Sequence, residues 1–220
     1  MSYNHEPDAY RKVMKRSKWN EDFSSNEMDP YFVRDPLCRI NGDWDPTTLR
    51  ISGTDHVVKE RKAIEDMQTF SGLKIEDRWD EGLADDQPEH IQKIADCLPI
   101  GKHRNLIHIQ RPGQMNIYHI DETYGGGFWD YLGDDKNDRL VRFFIMLDDW
   151  KPGQIMMFGS HHSIRWRKGD VMYFRWQDIP HGTANFGHTD RPLLLVTGET
   201  TPAMEAMLAD PTIKEFNLAK

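Results

Sequence analysis

Hydrophobic and polar residues change their spacing along this chain, and the change divides it. After residue 102 the apolar positions fall in short runs bounded by turn residues, as strands do. Eight runs stand out: Asn105–Gln110, Met115–Asp121, Leu140–Leu147, Gln154–Phe158, Ser163–Trp166, Val171–Trp176, His181–Phe186 and Pro192–Thr197. Pro112-Gly113, Pro152-Gly153, Lys168-Gly169-Asp170 and Gly187-His188-Thr189-Asp190 are the clearest turns between them. Short strands in such number, with no helical period among them, predict a double-sheet jelly roll. The stretch 122–139, with Gly125-Gly126-Gly127, breaks the rhythm; it follows Asp121 directly and is expected at the mouth of the barrel.

Before residue 103 the period is helical in two places. Thr54 or Asp55 would cap a first helix whose apolar stripe is Val57, Ala63, Ile64, Met67 and Phe70, with Ser71-Gly72 as its stop. Asp86 would cap a second, with Pro88 in its first turn and Ile91, Ile94, Ala95 and Leu98 stepping by three and four before Pro99. Each stripe needs a surface to lie on, so both helices are expected to buttress the barrel from outside. Residues 1–50 are polar and irregular, punctuated by Pro7, Pro30, Pro36 and Pro46. They form either an arm over the barrel or a partly disordered leader. Trp19, Phe23, Tyr31, Phe32 and Trp44 are many large apolar groups for a disordered segment, which favours the arm. From Pro202 a short closing helix is expected, with Met204, Met207 and Leu208 apolar. The organisation predicted is an arm (1–50), a helical buttress (51–102), a jelly-roll core (103–200) and a C-terminal helix (201–220), one catalytic domain in all.

Composition narrows the classes. A chain of 220 residues can bury one core unaided. Hydrophobic content is 38%, and seven Trp and ten Phe suggest a core that leans on aromatics. The net charge of −8, with no basic run, argues against a nucleic-acid module that works by phosphate neutralisation. It does not exclude a small substrate that carries a nucleotide. Cys38 and Cys97 lack metal-site spacing and are too few for a disulfide framework, so free thiols in a reducing compartment are expected. The first residues lack the apolar core of a signal peptide, and no apolar run approaches membrane-spanning length. A soluble cytoplasmic protein is the expectation.

The chemistry concentrates in Met115–Arg191. Side chains alternate along a strand, so His119 and Asp121 share a face while Ile120 and Glu122 point away. A second histidine, His181, follows an aromatic strand and Pro180, and ten residues later Arg191 leads a Pro-Leu-Leu-Leu-Val run. Two histidines and a carboxylate on one side of a metal leave positions open, as in non-haem Fe(II) oxygenases. His119-x-Asp121, His181 and Arg191 in this order resemble the Fe(II)/2-oxoglutarate-dependent dioxygenases. Phe143–Gln154, Lys168–Phe174 and His181–Asn185 resemble them too, and the likeness covers roughly residues 103–200.

That resemblance implies a mainly β fold with flanking α elements, a double-stranded β-helix of cupin-like type. It implies His119, Asp121 and His181 as ligands of Fe(II), with 2-oxoglutarate and O2 taking the remaining positions. Arg191 would clamp the far carboxylate of 2-oxoglutarate with the bidentate fork that lysine lacks. Thr183 shares the face of His181 and is either a further partner for the cosubstrate or a core threonine. The reaction implied is hydroxylation of an unactivated C–H in a small molecule or an amino-acid or peptide side chain, with release of succinate and CO2. The spacing His181…Asn185…Arg191 is similar to that of aspartyl/asparaginyl and bacterial proline hydroxylases.

Departures matter. Many relatives carry Arg-x-Ser, and here the matching position is Leu193, so Thr183 or Tyr118 would have to help hold the carboxylate. Gly169-Asp170…Pro180–Asn185 also resembles the second cupin motif, which keeps open a metalloenzyme independent of 2-oxoglutarate. His119-Ile120-Asp121 departs from the His-x-His of the first. A jelly-roll binding module is the non-enzymatic alternative; an iron halogenase is disfavoured because Asp121 fills the position chloride would need. His161-His162 is read as a surface pair in a turn, and Arg165, Arg167 and Lys168 as a solvated edge. Trp176 and Trp129 either line the substrate pocket or belong to the core. The partners expected are a small or amino-acid-like substrate and a second copy of the chain as a homodimer, with no nucleic acid and no membrane.

Overall fold

In the computed structural model the described residues are 33–51, 53–54, 80–83, 86–119, 140–159, 161–176 and 179–218. Their strands are β1 (Val33–Asn41), β2 (Gly53–Thr54), β3 (Asp80–Leu83), β4 (His103–Gln110), β5 (Met115–His119), β6 (Leu140–Met146), β7 (Gln154–Phe158), β8 (His161–Ser163), β9 (Asp170–Phe174), β10 (His181–Asn185), β11 (Arg191–Glu199) and β12 (Lys214–Asn217). They form two sheets, one in the order β12-β1-β9-β6-β11-β4-β3-β2 and the other β5-β10-β7-β8. Between β4 and β11 the chain passes back and forth between the sheets. It builds an antiparallel quartet β4-β11-β6-β9 in one and a second quartet in the other. This is the double-stranded β-helix that the strand pattern predicts.

Two clusters of buried residues lie on the two faces of the larger sheet. Between the sheets sit Phe144, Met146, Phe158, Phe174, Trp176, Leu193 and Leu195. On the outer face sit Ile107, Phe143, Ile145, Leu194 and Val196, with Ile91, Ile94, Met204 and Met207 packed on them. Neighbours in sequence divide between the clusters, as the pleat requires. β11 serves both faces and is buried from Arg191 to Gly198, which accounts for its unbroken apolar run.

Several elements differ from expectation. Residues 33–41 are a core strand, not part of an arm: Leu37, Cys38 and Ile40 are wholly buried and β1 pairs with β9. Arg34, Asp35 and Arg39 hide its alternation, and the register shifts between Arg34 and Cys38, where Pro36 cannot donate to a ladder. The apolar stripe of the second buttress is buried as its spacing predicts, but the segment is not one helix. A single α turn, Glu89–Gln92, is followed by a 3-10 turn, Ala95–Cys97, and Pro88 rather than Asp86 occupies the cap. Gln87 fastens its start instead, bonding to the backbone of Arg50 and Leu83.

The first helix expected, from Thr54 to Gly72, falls almost wholly outside the described residues; Gly53–Thr54 is a short strand. After the closing helix Pro202–Ala209, capped by Thr201, the chain adds β12, parallel to β1. Its largely exposed Lys-Glu-Phe-Asn gave no apolar signal. Both Cys38 and Cys97 are free thiols. Among the described residues no helix is long and apolar enough to cross a membrane.

Candidate active site

The cavity between the sheets, about 570 Å³ with its open part included, takes its polar lining from inward positions of five strands. His108 and Gln110 come from β4, Asn116 from β5, Arg142 from β6, His181 and Thr183 from β10, and Arg191 from β11. Phe144, Leu193 and Leu195 supply apolar wall, and no Asp or Glu is among the lining residues described.

His181 is 4% exposed and its ring meets Phe174 at 4.7 Å between centroids. Its Nδ1 lies 3.1 Å from the carbonyl oxygen of Ile179. A carbonyl only accepts, so Nδ1 carries the proton and Nε2 holds the lone pair of the neutral ring. That is the tautomer of a metal ligand whose second nitrogen is oriented by the backbone. His119 is the ladder partner of His181 across the β5–β10 pair.

The register slips between that pair and Thr183↔Asn116, so two residues of β5, including Tyr118, stand opposite one of β10. The bulge sets both Asn116 and His119 across from residues that line the cavity, although strict alternation would put them on opposite faces. Asp121, Trp129 and the stretch 122–139 lie outside the described residues. Among the described residues no three metal-binding side chains gather.

Arg191 opens β11 and is 3% exposed. Its Nη2 donates to Gln110 Oε1 at 2.9 Å, while Nε and Nη1 have no hydrogen-bond partner. Burial pushes the guanidinium down to about 9, and it remains a cation at neutral pH. Gln110, itself 2% exposed, turns its Nε2 to Thr183 Oγ1 at 3.0 Å. One amide therefore ties arginine to threonine. Asn185 locks the turn that delivers Arg191, donating to the carbonyls of Gln110 and Thr189 and accepting from Gly187 N. Asn116 Oδ1 is a further buried atom without a partner.

Gln110 and Arg142 are the residues sequence reasoning missed. The signal for Gln110 was its alternation with Leu106 and His108, which sets polar groups on the inward face of a core strand. Arg142 Nε donates to Thr197 Oγ1 at 3.0 Å and its guanidinium stacks on Trp176 at 4.1 Å. Trp176 is 2% exposed, in the cluster between the sheets. Leu193 faces the cavity as plain wall; of the two residues expected to help Arg191 in its place, Thr183 lines the cavity and is joined to Arg191 through Gln110.

His161 and His162 belong to β8, not to a turn. His161 stacks on Phe158 and its Nε2 lies 3.0 Å from Asp35 Oδ2, which fastens it, while His162 is exposed. Arg165 and Arg167 are exposed, whereas Lys168 is held against Trp44, donating to its carbonyl at 3.0 Å and lying over its ring.

No family model matches the chain, and no curated protein does. Solved structures similar to it include a Pseudomonas putida prolyl-4-hydroxylase, at 16% identity and TM-score 0.41 over 64% of this chain and 82% of that one. A Cupin 2 conserved barrel domain protein from Salinispora arenicola gives 12% and 0.33 over 62% and 87%. A predicted oxalate decarboxylase from Thermotoga maritima gives 14% and 0.34 over 56% and 82%. At these identities and scores the likenesses assign no activity; the fold stands on the strand order described above.

Proposed function

We propose that this chain is an Fe(II)- and 2-oxoglutarate-dependent oxygenase that hydroxylates an unactivated C–H of a small molecule or an amino-acid-like substrate. The observation that carries the reading is Arg191. A buried cation with two unsatisfied donors, in a cavity whose described lining holds no acid, is costly unless an anion from outside completes it.

The far carboxylate of 2-oxoglutarate fits that need. Arg191 would hold it through Nε and Nη1, and Thr183 would add a hydroxyl donor, since its oxygen already accepts from Gln110. The residues present also fit a metal: His181 offers Nε2, His119 is its cross-strand partner, and Asp121 follows two residues later in sequence. Bound iron with 2-oxoglutarate would supply O2 activation and C–H oxidation, with succinate and CO2 released. The chain's own part is to fix the carboxylate, orient the imidazole through Ile179, and keep water out with Phe144, Leu193 and Leu195.

Anaerobic addition of Fe(II) and then 2-oxoglutarate should give the visible metal-to-ligand charge-transfer band. Iron binding with no such band at saturating 2-oxoglutarate would overturn the reading. It would favour a cupin-type metalloenzyme, for which His108 in the same cavity is a further imidazole.

A further inference from the structure

The cosubstrate leaves one kind of group in the cavity unanswered. At neutral pH 2-oxoglutarate is a dianion whose oxygens only accept hydrogen bonds, and the groups assigned to it are donors: Arg191 Nε and Nη1 and the Thr183 hydroxyl. Asn116 lines the same cavity from β5. Its Oδ1 is a buried acceptor with no hydrogen-bond partner among the described residues. A buried polar group left unpaired is costly, so this acceptor calls for a donor, and the cosubstrate carries none.

The backbone departs from a regular ladder to put Asn116 there. Across the β5–β10 pair Thr183 stands opposite Asn116 and His181 opposite His119, with the register shifting between them. A bulge of this kind gives up ladder bonding and re-aims a side chain. Residues directly opposed on antiparallel strands have Cβ atoms about 4.5–5.5 Å apart. Even so, Thr183 and Asn116 make no bond: the Thr183 oxygen accepts from Gln110 Nε2 at 3.0 Å, and Gln110 Oε1 accepts from Arg191 at 2.9 Å. The polar groups thus run in a row, Arg191, Gln110, Thr183 and then Asn116.

The Asn116 end of the row lies close to the imidazole proposed for the metal. His181 and Thr183 share a face of β10, two residues and roughly 7 Å apart. The surroundings also limit the charge of what Asn116 can hold. Arg191 is already a buried cation in this cavity, whose described lining holds no acid, so an ammonium would add a second uncompensated charge. A neutral N–H or O–H meets the acceptor without that cost.

We propose that Asn116 is a substrate-recognition residue, whose Oδ1 accepts a hydrogen bond from a neutral N–H or O–H of the primary substrate. The substrates are then amides or alcohols, not free amines. This rests on the oxygenase reading for the assignment of Arg191 and Thr183 to the cosubstrate.

The experiment uses the full chain, anaerobic and loaded with Fe(II) and saturating 2-oxoglutarate. N-Acetyl-L-amino acid methylamides and small alcohols are titrated in, with binding read by calorimetry. Each is set beside its fully N- or O-methylated twin and the amine of the same skeleton. At least one amide or alcohol should bind above both its twin and its amine, and the series that shows the preference names the donor. Asn116→Leu, of similar size without the acceptor, and Asn116→Ala should each cost that compound roughly 5- to 150-fold, the loss expected when a buried donor is left unpaired. Both should erase its margin over the methylated twin.

Asn116→Asp, whose side chain accepts but has no N–H to give, should keep that margin; its loss there would overturn the assignment to Oδ1. The 2-oxoglutarate affinity of Asn116→Leu should match the parent, and a fall overturns the proposal by giving Asn116 to the cosubstrate. If no amide or alcohol out-binds its twin, Asn116 Oδ1 meets water alone and the proposal is overturned. An amine that binds best overturns it as well. Should the wild type bind no 2-oxoglutarate, the same titrations on the metal-free chain separate the two claims. A preference that Asn116→Leu erases would then leave the donor site standing while the oxygenase reading falls.

Discussion

At the scale of single residues, the amide of Gln110 decides how Arg191 and Thr183 meet a ligand. Its Oε1 faces a cation and its Nε2 faces a hydroxyl, so the threonine accepts there and keeps its own proton to donate. Gln110→Ala leaves a buried donor unsatisfied, a loss of about 1–3 kcal/mol. That loss should appear as reduced stability in a denaturant titration. Gln110→Glu should lower 2-oxoglutarate affinity, because a carboxylate there pairs with Arg191 and competes for its place. Titrating 2-oxoglutarate into the iron-loaded Gln110→Glu variant checks this, and an affinity equal to the parent's would remove Arg191 as the anchor. pH acts in the same direction: the guanidinium is pushed down to about 9, so the cation is complete below that and affinity should decline above it. His119→Ala, Asp121→Ala and His181→Ala should each lose iron binding while keeping the parent's circular dichroism. An Asp121→Ala chain that held iron as tightly as the parent would break the triad. Arg191 was legible because its spacing from His181 is a sequence property. Gln110 and Arg142 were not, since a polar residue on a strand reads as outward until the register shows which face it takes.

Elements show a similar division. The strands from β4 to β11 were legible, to within a few residues, because Pro-Gly and Gly-Asp turns bound apolar runs of strand length. β1 was not: four of its nine residues are Arg, Asp, Pro and Arg, and only the pairing with β9 shows that Leu37, Cys38 and Ile40 fill the outer cluster. If β1 is core, Leu37→Ala should destabilise the protein by about 2–5 kcal/mol in a denaturant titration, as large-to-small changes in packed cores do. Leu83→Ala, at a side chain 43% exposed, is the control and should cost little. A small effect at Leu37 would return β1 to the role of an applied arm. Gly169 tests the same join from the other side. Its φ is +86° and a Cβ there would run into the carbonyl oxygen of Ile40, while its own carbonyl accepts from Ile40 N at 2.9 Å. Gly169→Ala should therefore cost at least about 1–3 kcal/mol from backbone strain alone. β5 carries the matching lesson for the site: alternation set His119 beside Asp121, but the bulge that also brings Asn116 to the cavity has no signature in the sequence.

Across the whole molecule, the proposed function sets a cost against stability, and the sign can be worked out. Burial brings Arg191 from the ordinary arginine value of the unfolded chain down to about 9. Between those values the unfolded chain binds more protons than the folded one, so this group adds stability as pH rises through that window. Below it the penalty for burying the charge is present in full. At neutral pH the protein without ligand therefore carries a buried cation that opposes folding, at a cost on the order of a few kcal/mol. Arg191→Met, of similar reach and without charge, should remove that cost. The apo variant should unfold at a higher temperature than the parent, by about 2–4 °C for each kcal/mol recovered in a chain of this length. Ligand reverses the order. 2-Oxoglutarate bound only by the folded, iron-loaded parent adds roughly 2.7 kcal/mol at a hundred times its Kd, and the methionine variant, lacking the anchor, should gain almost none of it. Melting midpoints plotted against 2-oxoglutarate concentration should cross, with the variant higher at the left and the parent rising past it. A structural arginine predicts the opposite at the left-hand end: its removal would lower the midpoint before any ligand is added. An apo Arg191→Met chain that melts below the parent would therefore make Arg191 part of the scaffold, and with it the strongest support for an anion at that end of the barrel would be gone.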